Sequence, residues 1–177
     1  MSKKNIFAFM LIVAVTSNSF FAKGQSGWRM DSLYINKFDL TKSEVKPSAI
    51  NTLLLGESAF IKKFGNPLKI SVEYSEENEC KMKHYFYKGA EAWYTNDALH
   101  AFSISSPDYS LQLLKGGSIK VGDNISCVMR FFPCSWEAKP FPNQVFVSLR
   151  NQKTLVDMSL LFLFNPNTHL ITTISVQ

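Results

Sequence analysis

The 177-residue chain is 46% apolar and rich in Phe and Tyr, a composition that excludes disorder and favours sheet. The formal charge of +5 shrinks to 16 basic against 14 acidic side chains once residues 1–24 are set aside, so no electrostatic case for nucleic acid remains. The length suits one compact domain, or two small halves sharing a core.

Lys3 and Lys4 precede an apolar run of ten residues, Ile6 to Val15, and Ala22-Lys23-Gly24 sets small residues at the −3 and −1 positions of a cleavage site. That order predicts an export signal over 1–24, removed after Gly24, and a single exported domain over 25–177. Ten apolar residues cannot cover about 30 Å of hydrocarbon as a helix, so no transmembrane anchor is expected. No Cys precedes Cys80, which excludes lipid attachment at a processed N-terminal Cys. The expected location is periplasmic or secreted.

Leu33 to Phe38 reads as a strand and Ser43 to Pro47 as a turn. Then comes a phrase that the chain states twice. Leu55-Gly56-Glu57-Ser58 leads through an apolar-periodic run to Phe64-Gly65-Asn66-Pro67; Val121-Gly122-Asp123-Asn124 leads likewise to Phe131-Phe132-Pro133. In both copies the Pro falls eleven positions after the Gly. Phe60, Ile61 and Phe64 recur at helical spacing, so a short helix is predicted, capped by Ser58 and stopped by Gly65-Asn66-Pro67. In the second copy Asp123 or Asn124 caps a helix that Pro133 ends, and Cys134 to Pro142 reads as a loop.

Alternating stretches follow each copy. Leu68 to Tyr74, Lys81 to Tyr87, Ala92 to Tyr94 and Leu99 to Ser105 read as strands after the first. Tyr109 to Leu114 opens the second half, and Val145 to Leu149, Val156 to Phe164 and Leu170 to Val176 follow its helix. Asn96-Asp97 and Asn165-Pro166-Asn167 are turns. The two halves close alike, on Ser103-Ile104-Ser105 and Thr173-Ile174-Ser175. The fold class is therefore α+β: two tandem repeats, about 28–107 and about 108–177, of short helices plus antiparallel strands. They are expected to form one antiparallel sheet with helices on one face, and Gly56 and Gly122 to hold equivalent backbone positions.

With these motifs the chain resembles the β-lactamase-inhibitor-protein-like fold, which includes the SmpA/OmlA-type lipoproteins of outer-membrane assembly. The resemblance covers roughly residues 30–177. Its tandem arrangement is similar to the inhibitor members, and implies a concave sheet that grips a partner protein. The motifs that carry it are structural, and fold does not fix function.

Residues with chemistry are few. The three Cys allow three pairings, and none forms a local signature with a His. His84 alternates with Met82 and Phe86 as a sheet-face residue would; His84, His100 and His169 show no metal-ligand spacing. Glu76, Glu77 and Glu79 cluster in a turn, and Gly116-Gly117 lacks the Lys of a phosphate loop. No cofactor, metal or catalytic residue is predicted. The aromatics remain: Tyr85, Tyr87, Trp93, Tyr94, Trp136 and Phe141 are read as lying on outer strand faces or loops, where Trp and Tyr anchor interfaces. The expected function is non-enzymatic binding of another protein of the cell envelope or exterior, inhibitor- or immunity-like. A small-molecule or lipid carrier is the alternative, and a hydrolase with an unrecognised site a third.

Overall fold

The computed structural model describes residues 30–34, 37–42, 52–76, 79–113, 116–139, 141–151 and 154–177. The expected export signal, the 43–47 turn, the residues just before Thr52, and Gln152-Lys153 lie outside them.

Strands dominate. After β1 (Ser32–Tyr34) and β2 (Phe38–Lys42), a 3-10 turn (Thr52–Leu54) leads into α1 (Glu57–Phe64). A meander follows: β3 (Lys69–Ser75), β4 (Cys80–Tyr87), β5 (Ala90–Thr95) and β6 (Ala98–Ile104). β7 (Tyr109–Leu113) and β8 (Ser118–Lys120) precede α2 (Ser126–Phe131) and α3 (Pro133–Glu137). A second meander ends the chain: β9 (Gln144–Asn151), β10 (Thr154–Phe164) and β11 (Ile171–Val176).

The two meanders form one large sheet in the order β1-β9-β10-β11-β6-β5-β4-β3. Their closing strands meet at its centre, antiparallel, with Ile104 opposite Ile174 and Ser103 opposite Ser175. The expected single antiparallel sheet needs two corrections. β1 pairs parallel to β9, so the large sheet is mixed, and β2, β7 and β8 form a separate three-stranded sheet. The expected Leu33–Phe38 strand is accordingly two strands in two sheets. The split follows from burial: β1 is partly exposed, whereas Phe38 to Thr41 of β2 are buried on both faces.

One face of the large sheet is covered. Phe60 of α1 lies 6.0 Å from Tyr87 and 5.5 Å from Tyr94, ring centre to ring centre, and Phe64 lies 6.3 Å from Tyr109 of β7. On the other half Phe132, between α2 and α3, meets Phe162 at 6.0 Å, and Trp136 of α3 meets Phe164 at 5.9 Å. α1 and the α2–α3 pair thus cap the two meanders on the same side.

The starts of α1 and α3 are held from distant elements, whereas α2 uses the Asn124 that its own sequence offers. Ser58 is inside α1, whose N-cap is Gly56; the Glu57 N–H donates instead to Asp97 Oδ1 at 2.6 Å, from the β5–β6 turn. Ser135 in the first turn of α3 donates its N–H to Asp31 Oδ2 at 2.8 Å, while the Asp31 N–H donates to Ser135 Oγ at 2.9 Å. For α2, Asn124 Oδ1 accepts the Ser126 N–H at 2.9 Å. α2 ends at Phe131, before Pro133, but Pro133 then opens α3: its fixed φ and missing N–H suit a first helical position, so the expected Cys134–Pro142 loop begins with helix. The paired glycines also differ. Gly56 has φ −64, Gly122 has φ +90 and stands four positions before α2, so their backbone conformations are not equivalent.

A buried ion pair ties α1 to the small sheet. Lys63 Nζ lies 2.7 Å from Asp39 Oδ2, and Asp39 Oδ1 accepts the Thr52 N–H at 3.0 Å and the Thr52 hydroxyl at 2.6 Å.

Candidate functional site

The expected binding aromatics divide three ways. Tyr85 and Tyr94 are buried in the core, and Tyr87 packs against it, on the helix-covered face rather than the outer one. The alternation along β4 is as expected; the facing is reversed. The reason is cross-strand size. Tyr85 stands opposite Ala92 and Tyr87 opposite Ala90, so two small residues leave room for the rings beneath α1. Burial pushes all three hydroxyls up, Tyr87 to about 12, with the Glu57 carboxylate adding to the effect at Tyr85. These tyrosines are structural.

Trp93 is half-buried on the outer face. It stacks on His84 at 4.4 Å, and Phe86 lies 3.7 Å from His84, ring centre to ring centre. His84 Nε2 is 2.9 Å from Glu91 Oε2, and Nδ1 is 3.3 Å from Glu73 Oε1, which also accepts the Ser71 hydroxyl at 2.9 Å. The two ring nitrogens address different carboxylates, so the three groups do not converge on one point. Among the described residues no three His, Cys, Asp or Glu side chains are arranged to hold a metal ion. The His84 arrangement cross-links β3, β4 and β5 on the outer face. The three Cys are free thiols, and burial followed by the Asp123 carboxylate raises the Cys127 thiol above its ordinary value, which disfavours the nucleophilic thiolate.

Trp136 and Phe141 stay accessible at the other end. Trp136 helps line an open, largely apolar groove of about 440 Å³ between the α2–α3 pair and the β10–β11 turn. Lys139 Nζ sits 4.0 Å over the Trp136 ring, and Met129, Phe164 and His169 are also in the lining. The His169 carbonyl accepts the Ile125 N–H at 2.8 Å, which fastens the turn to the start of α2. Phe141 packs against Phe146 at 6.3 Å, beside rather than in this groove.

A row of exposed apolar side chains lies elsewhere. β3 forms one edge of the large sheet, and among the described residues only β4 pairs with it. Leu68, just before it, is 77% exposed; Ile70, Val72 and Tyr74 are 51%, 62% and 63% exposed. Their spacing of two puts all four on one side, the side of Tyr85 and Lys83, because Ile70 stands opposite Tyr85 and Val72 opposite Lys83. α1 does not reach over them. The pairing of β3 with β4 runs through seven residue pairs without a bulge. Long, regular edges with apolar side chains are uncommon in isolated proteins, because the open N–H and C=O groups invite another strand. Sequence reasoning recognised the strand and its alternation, but not that this strand is an edge.

No family model matches this chain, and no curated protein does. Among solved structures it is similar to an extracellular protein containing a SCP domain from Bacillus anthracis str. Ames, at 13% identity and a TM-score of 0.44, over 77% of this chain and 49% of that one. The chain spans about half the length of that structure. Among the described residues, no helix is long and apolar enough to cross a membrane.

Proposed function

We propose that this is an exported, non-enzymatic protein-binding protein of the cell envelope or exterior, and that its binding surface is the β3 edge. The observation that carries the reading is the row Leu68, Ile70, Val72 and Tyr74, exposed along an unbroken edge strand. A strand laid against β3 would gain main-chain hydrogen bonds, and the four side chains would give it apolar cover. The charged, apolar and small-residue order of 1–24 supports export. A photo-crosslinking amino acid at Val72, with exposed His100 as the control site, tests the surface in cells. The expected result is a protein adduct at Val72 that Ile70→Asp abolishes. No protein adduct at Val72 overturns the reading.

We also infer a tandem repeat of the β-lactamase-inhibitor-protein-like kind. Helix followed by meander occurs twice, and the closing strands meet with Ile104 opposite Ile174, which supports it. Superposing the two halves checks this: β6 should fall on β11, and unrelated strand directions would refute it.

The groove beside Trp136 favours a second reading, a carrier of a small apolar molecule. Saturable quenching of Trp136 fluorescence by an apolar probe, lost in Met129→Asp, would support that role, and unsaturable quenching would dismiss it.

A further inference from the structure

We propose that the partner of the β3 edge is the β3 edge of a second copy of this chain, paired antiparallel about Ser71. This rests on the reading of β3 as a binding surface and gives that surface its occupant. The argument is self-complementarity. In an antiparallel pair of identical strands centred on Ser71, Lys69 of each copy stands opposite Glu73 of the other. Ile70 stands opposite Val72, and Leu68 opposite Tyr74. Opposed residues in such a pair share a face. The charges therefore meet on one face, twice, with opposite signs, and the exposed apolar row closes over itself on the other. Centring one residue away fails: about Ile70, Lys69 meets Ser71 and Glu73 meets Pro67; about Val72, Glu73 meets Ser71 and Lys69 meets Ser75.

The side chains are placed for this. Lys69 makes no ion pair with a described residue of its own chain and lies 5.2 Å over the Phe86 ring, at the outer-face rim. Glu73 is held by Ser71 and His84, so its carboxylate is pre-oriented rather than free to turn away. The dimer is isologous, with a two-fold axis through Ser71, and joins two eight-stranded sheets into one.

Charge reversal with rescue tests it, read by sedimentation of the purified chain. The parent is expected to dimerise. Lys69→Glu and Glu73→Lys should each weaken dimerisation about tenfold, since each turns two attractive cross-strand pairs into repulsive ones. The double variant should recover it, and mixing the two single variants should give a heterodimer. Lys69→Glu loses the ammonium over the Phe86 ring but no side-chain hydrogen bond among the described residues, so it keeps the test open if Glu73→Lys, which breaks the His84 contact, fails to fold. Independently, Ser71→Cys should form a copy-to-copy disulfide beyond the parent's background, and Lys69→Cys should not. A monomeric parent, or a dimer indifferent to both charge reversals, overturns the proposal. A monomeric chain whose Val72 adduct holds a different protein overturns the self-pairing while leaving β3 a binding surface. An adduct of twice the chain's mass supports both, and no adduct overturns both.

Discussion

The Asp97 carboxylate touches Gly56 from a turn about forty positions later: a Cβ on Gly56 would lie 2.6 Å from Asp97 Oδ2. The same carboxylate receives the Glu57 N–H at 2.6 Å. Asn96 and Asp97 both have positive φ, 50 and 65, the backbone of a tight two-residue hairpin. One residue thus turns β5 into β6 and caps α1, and the glycine is there to let it approach.

Asp97→Gly suits the positive φ and so isolates the cap. It should cost about 1 kcal/mol of stability. Gly56→Ala should cost a similar amount in the parent by displacing the carboxylate, and much less in the Asp97→Gly background. A double-mutant cycle by urea denaturation checks this; additive losses would show that the two sites are independent.

Asp39→Ala should be among the most damaging substitutions, costing about 3–5 kcal/mol, because it strands the Lys63 ammonium in the core. Lys63→Met should cost less, since Asp39 keeps both Thr52 hydrogen bonds. Equal losses in chemical denaturation at neutral pH would contradict this asymmetry.

Glu57 is held below its ordinary 4.5, first by its hydrogen bond to Lys83 and then by Tyr85. A depressed carboxylate stabilises the fold fully above its unfolded value and loses that contribution as pH falls through its folded value. Lys83→Gln should therefore flatten the decline in melting temperature below about pH 4.5 relative to the parent. Parallel melting curves across that window would rule the effect out.

Tyr87 should not ionise until about pH 12, and Tyr85 and Tyr94 only as the fold opens. A phenol whose folded value is raised stabilises fully below its unfolded value near 10, and that stability is lost as pH rises through the folded value. Ultraviolet titration should show these rings ionising together with loss of circular dichroism above about pH 12. Full ionisation of a still-folded chain near pH 10 would mean that the three rings are not buried.

What could be read beforehand was local. Phe60, Phe64 and Gly65 announce α1, and β4 follows its own alternation, because both depend on neighbours within a few positions. The side of β4 that faces the core depends on Ala90 and Ala92 across the ladder, so alternation alone cannot turn Tyr85 and Tyr87 inward. The groups that hold the starts of α1 and α3 are hidden for the same reason, Asp31 being 104 positions from Ser135, whereas Asn124 at α2 is local and legible. The β3 row was visible as letters, but whether a strand is an edge is a property of the sheet's order.

The meeting of β6 and β11 at the sheet's centre sets a timetable for folding. The first meander is complete at Ile104, yet its inner margin stays open until Ile171–Val176, some seventy residues further on, closes it. Throughout that interval the half-sheet has two unsatisfied margins, β3 and β6. The neighbouring meander must therefore arrive before a stranger does, and the interval before Ile171–Val176 docks is when the folding chain is most exposed to aggregation.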